Sequence, residues 1–75
     1  MEAYVLITVD PNMDNQVFKA IQKLPEVKET HILFGDWDVV AKLEMGNPEQ
    51  LGSIVIAKIR SIEGVRQTKT LIVAR

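Results

Sequence analysis

The sequence predicts an α+β fold of the ferredoxin-like kind, βαββαβ: a four-stranded antiparallel sheet with two helices on one face. Three observations predict it. Two amphipathic helical stretches, from Met13 and from Asn47, alternate with four β-rich runs. A shift of 38 residues lays the apolar register of the first half on the second. It places Met13 on Leu51, Val17 on Val55, Ile21 on Ile59, Leu24 on Ile62, Val27 on Val65 and Thr30 on Thr68. Two βαβ units in tandem with right-handed crossovers then close into that one sheet.

Each element has its own signals. Residues 3–9 are β-rich, with Ala3, Val5, Ile7 and Val9 on one face and Tyr4 and Leu6 on the other. Both faces are apolar, so the side away from the helices is expected to meet something. Pro11 stops the strand and Asn12 is expected to cap the first helix. Met13, Val17, Ala20, Ile21 and Leu24 recur at helical spacing until Pro25 ends the run. Residues 27–34 read as a second strand in strict alternation, Lys28, Thr30, Ile32 and Phe34 against Val27, Glu29, His31 and Leu33. Residues 34–38, Phe-Gly-Asp-Trp-Asp, form the hairpin tip, and residues 38–45 return as the third strand. Asn47 and Pro48 open the second helix, whose buried stripe is Leu51, Ile54, Val55, Ile59 and Ile62. Ile56 lies off that stripe. Gly64 is expected to end the helix in a left-handed conformation, before a last strand over 65–74.

The 75 residues allow one domain. Folding so short a chain buries only roughly 60% of its unfolded surface. There is no cysteine to staple it and one histidine, too few ligands for structural zinc. Self-association is the remaining common device. Nine basic and ten acidic residues give a net charge of −1, which opposes a standing attraction to nucleic acid or anionic membrane. No apolar run is long enough to span a bilayer and the first residues do not read as a signal peptide, so a cytoplasmic location is expected.

No catalytic set emerges. The serines, Ser53 and Ser61, have no base placed with them, and His31 stands alone on a strand. Asp36 and Asp38 read first as turn acids, with too few further oxygens for a metal. Gly35 reads as a turn glycine, without a phosphate-binding motif around it. Trp37 has little core to enter at a hairpin tip. It reads equally as an oligomer anchor or as a ligand wall.

The run His31-Ile32-Leu33-Phe34-Gly35-Asp36-Trp37-Asp38-Val39-Val40-Ala41-Lys42 resembles the core motif of the Lrp/AsnC regulators, where a glycine, an aromatic and an aspartate stand at the positions of Gly35, Trp37 and Asp38. The closing run Ile62-Glu63-Gly64-Val65-Arg66-Gln67-Thr68-Lys69-Thr70-Leu71-Ile72-Val73 is similar to that family's last helix end and strand. The resemblance covers residues 3–73 and points to the effector-binding RAM domain, standing alone without a helix-turn-helix. It implies a dimeric α+β barrel, made by sheet-to-sheet packing, and a ring of such dimers (octamer or decamer). It also implies a small effector, usually an amino acid, bound near the tip between dimers. The site residues it implies are Gly35, Asp36, Trp37, Asp38, Thr68 and Thr70, with Arg66 and His31 beside them. Asp38 would accept from an α-ammonium, and its charge is expected to need that cation or a neighbouring Arg or Lys. No catalytic residue, metal or cofactor is implied, and no direct contact with nucleic acid or membrane. A competing reading is a subunit that co-assembles with full-length Lrp/AsnC regulators without sensing. An α+β-barrel enzyme would need catalytic partners for His31 or an acid, which the sequence does not offer, and an ACT-like module shares the fold but fits the tip less well.

Overall fold

The computed structural model describes residues 1–75. The order is β1 (Glu2–Val9), α1 (Asp14–Gln22), β2 (Val27–Ile32), β3 (Val39–Glu44), α2 (Pro48–Ile54), a π-helical turn (Val55–Ile59) and β4 (Val65–Ile72). The strands form one antiparallel sheet in the order β2-β3-β1-β4. This is the ferredoxin-like α+β arrangement that the 38-residue repeat predicts. No helix is long and apolar enough to cross a membrane.

Burial is one-sided. Ala3, Val5 and Ile7 of β1 and Val39, Ala41 and Leu43 of β3 face the helices, wholly buried, and meet Val17, Ile21, Leu51, Ile54, Val55 and Ile59. Every fully buried residue is apolar. On the opposite, outer face Tyr4 pairs with Lys42 and Leu71, and Leu6 with Val40 and Lys69. Tyr4 is 38% exposed and Leu71 45%.

Three local features differ from the sequence expectation. Asn12 does not cap α1: Met13 holds that position and no side chain caps the helix. Asn12 has φ 66° within a turn closed by the Met13 N–H donating to the Asp10 carbonyl at 3.0 Å. With Pro11 ahead of it, this is a turn that needs a left-handed third residue, which asparagine tolerates. Second, β2 stops at Ile32, and its alternation breaks. Val27 pairs with Leu43 and Glu29 with Lys42, so Lys28 is an extra, bulged residue. Val27 and Thr30 therefore share the helix-facing side, while Glu29 and His31 face outward.

Third, the second helix does not stay α. The Arg60 N–H donates to the Val55 carbonyl at 2.9 Å, an i→i+5 bond that widens the turn by about one residue. In a regular helix Lys58, seven residues after Leu51, would return to the buried stripe. The wider turn moves Lys58 off it, while Ile59, expected on that stripe from the sequence, is wholly buried. Lys58 is left to reach Glu26 in the α1–β2 turn, Nζ to Oε2 2.6 Å. That hydrogen bond holds the Glu26 carboxyl below its ordinary pKa.

Two glycines carry conformational demands of different kinds. Gly64, at φ 98°, packs on α1, where a Cβ would lie 2.9 Å from Met13 Cε and 3.2 Å from Val17 Cγ2. Gly35, at φ 138°, would meet nothing. Gly64→Ala is expected to cost more than Gly35→Ala in urea unfolding, the latter showing only the backbone penalty of about 1–2 kcal/mol. Glu26 supplies a pH test. Its depressed pKa contributes stability that is present above the unfolded-state value and lost as pH falls through the folded-state value. Denaturation midpoints measured down the acid range should fall less steeply for Glu26→Gln than for the parent chain.

Candidate functional site

The hairpin tip is a four-residue loop with a defined base. β2 and β3 close on it through the Leu33 N–H, which donates to the Asp38 carbonyl at 2.8 Å. That leaves Phe34, Gly35, Asp36 and Trp37 as the loop, a common hairpin length. Gly35 takes the positive φ that L side chains rarely adopt. Phe34 projects fully into solvent, Asp36 is exposed and Trp37 is half-buried.

Asp38 ties this loop to β1. Its backbone N–H donates to the Ile7 carbonyl at 2.9 Å, and its Oδ2 accepts the Val9 N–H at 2.9 Å. The expected Arg or Lys partner is not what holds it: the four ion pairs of the chain are His31–Glu29, Lys42–Glu2, Lys58–Glu26 and Arg66–Asp10. A backbone amide takes the cation's place, which suits a carboxylate that is only half-buried.

The loop amides contrast with that base. None of the N–H groups from Phe34 to Trp37 finds an acceptor in the chain. The Asp36 carboxylate has neither a hydrogen-bond donor nor an ion-pair partner. Four free donors beside one free carboxylate and an indole can take both charges of a zwitterion, with an apolar wall next to them.

The other residues picked out by sequence lie around the loop unevenly. Thr68 pairs with Ile7 across β1 from Val39, in the same row as the loop's base. Two strand spacings, about 10 Å, separate it from β3. Thr70 lies one row further in, opposite Val5, and is exposed. Arg66 stands at the same sheet end, at the irregular start of β4, with Nε 3.7 Å from Asp10 Oδ1. His31 is on the outer face, opposite Val40, with Nε2 3.1 Å from Glu29 Oε1. Thr68 and Thr70 face the helix side. The chain thus gathers Gly35, Asp36, Trp37 and Asp38, and keeps the threonines and His31 apart from them.

Sequence reasoning missed the outer-face charge network. Lys42 Nζ lies 3.5 Å from Glu2 Oε2; Glu2, and after it Tyr4, hold the ammonium above its ordinary pKa. The hydrogen bond from His31 lowers Glu29. The signal was available in the cross-strand register, which the bulge at Lys28 hides. An open cleft of about 250 Å³ lies elsewhere, between Gln22 and the β2 residues Val27, Lys28, Glu29 and Thr30. No three His, Asp or Glu side chains converge as metal ligands would.

The model of the Lrp/AsnC ligand binding domain matches residues 2–75. An uncharacterised HTH-type transcriptional regulator of Pyrococcus furiosus is 44% identical over 73 residues, covering 93% of this chain and 49% of its own. The chain thus spans about half the length of the curated relatives it matches. Among solved structures, a Thermus thermophilus protein aligns with a TM-score of 0.93 at 36% identity, over 99% of this chain and 92% of its own. A transcriptional regulator of Neisseria meningitidis in complex with L-Met shares the fold, with a TM-score of 0.88 at 18% identity, over 99% of this chain and 49% of its own.

Trp37 can be separated from the core by substitution. Trp37→Ala should keep cooperative unfolding and cost less than Ile21→Ala, which empties a wholly buried site at about 2–5 kcal/mol. Urea denaturation of both variants checks this; an equal loss would make Trp37 a core residue.

Proposed function

This chain belongs to the Lrp/AsnC ligand-binding domain family, and on that premise we propose that it is an oligomeric module that binds a small effector, an amino acid or close relative, in the control of transcription or metabolism. The observation that carries this is the hairpin loop. Its unpartnered amides suit a carboxylate, Asp36 suits an ammonium, and Trp37 supplies the apolar wall. Binding here is recognition without bond-making, and no catalytic role is assigned to His31 or the serines.

A single protomer offers only part of a pocket, since Thr68 and Thr70 stand across β1 from the loop. In this reading outer sheet faces pack through Tyr4, Leu6, Val40 and Leu71 into a dimer, dimers join in a ring of eight or ten chains, and a copy from a neighbouring dimer closes the pocket. The L-Met held by the Neisseria meningitidis regulator supports an amino acid as the class of effector. The regulator relatives support a cytoplasmic setting. The 75 residues act as one effector-binding domain.

The same outer face favours a second reading. An apolar sheet centre, on a domain whose family includes longer regulators, suits co-assembly with one of them, without sensing. Thermal unfolding against each of the twenty amino acids separates the two. A sensor is stabilised by about 2.7 kcal/mol when its ligand stands at 100 times Kd. A co-assembling subunit shows no shift with any of them and forms mixed oligomers with a full-length regulator from the same host.

A further inference from the structure

We propose that Asp38 is a positioning residue that builds the loop, and that the effector's ammonium is met by Asp36 instead; this assignment rests on the effector-binding reading above. The β1–β3 register separates the two acids. Ile7 stands opposite Val39, so the next rung toward the loop would pair Val9 with Trp37. Odd-numbered residues of β1 turn their amides toward β3, as the Ile7 carbonyl shows by accepting from the Asp38 N–H. The Val9 N–H therefore points where Trp37 would stand if β3 continued. β3 begins only at Val39, and Asp38 Oδ2 takes the Val9 N–H at 2.9 Å.

A side chain thus supplies the rung that the backbone leaves out. Trp37 is released from the sheet, and with it the three residues before it. Asp38 uses its amide and its carboxylate on β1 and its carbonyl on β2, so one residue fixes the loop to two strands. What Val9 requires of it is a hydrogen-bond acceptor of this length, which does not have to be charged. Asp36, inside the loop and without any partner, is the carboxylate free to meet a cation.

Substitution separates the acceptor from the charge. Asn retains an oxygen for Val9, so Asp38→Asn should keep the slow exchange of the Val9 and Leu33 amides in hydrogen-exchange measurements on the protein alone. Asp38→Ala should speed Val9 exchange by about tenfold or more, the scale of one hydrogen bond to a charged group. In thermal unfolding against the twenty amino acids, the shift seen for the parent chain should survive Asp38→Asn and disappear in Asp36→Asn. Unchanged Val9 exchange in Asp38→Ala would overturn the brace. Loss of the thermal shift in Asp38→Asn with Val9 still protected would return the ammonium to Asp38, and a shift that survives Asp36→Asn would remove it from Asp36. If the parent chain shifts with none of the twenty, effector binding fails and the exchange data alone decide the role of Asp38.

Discussion

All the burial in this chain falls on one side of one sheet, and the rest of the molecule follows from that constraint. Two helices cover the central strands β1 and β3 on a single face, and the wholly buried set, from Ala3 to Ile59, contains no polar side chain. The outer face is left with an apolar centre of Tyr4, Leu6, Val40 and Leu71, bordered by Glu2, Glu29, His31, Lys42 and Lys69. An apolar centre inside a charged rim is the anatomy of a protein interface. Folding so small a chain leaves a large share of its surface in water, and this face is part of that share.

What the sequence made legible were the features governed by periodicity. The alternation of Ala3, Val5 and Ile7 and the helical spacing of Val17 and Ile21 each specify one face, and each face is where the structure puts it. Gly64 was legible for the same local reason, since only a residue without a Cβ fits its φ and the approach of Met13. The misses are single-residue insertions into those periods. Lys28 adds one residue to β2 and the turn at Val55–Ile59 adds one to the second helix. Neither leaves a mark in composition, because both are decided by packing: Val27 turns toward the helices only if the period slips, and the wider turn keeps Lys58 off a stripe on which Ile59 was already expected. Asn12 was misplaced because one residue type serves both helix caps and left-handed turns.

The candidate site divides in the same way. The loop residues Gly35, Asp36 and Trp37 stood out as residue types, and the structure leaves their polar groups unengaged. Asp38 looked equivalent to Asp36 in sequence, two positions away on the same tip. Only the strand register separates them. It carries Asp38 against the Val9 amide and leaves Asp36 in the loop. The separation of Thr68 and Thr70 from the loop was likewise invisible without strand order, since β1 runs between them.

If the domain senses an effector, the amides of Phe34 to Trp37 are its receiving surface. Backbone amide spectra of the isotopically labelled protein, recorded against each of the twenty amino acids, probe that surface residue by residue. At least one amino acid is expected to shift those four resonances in a saturable way, and to leave Gln22, Lys28 and Glu29 beside the open cleft where they were. Saturable shifts at the cleft with the loop unmoved, or no response anywhere, would contradict it.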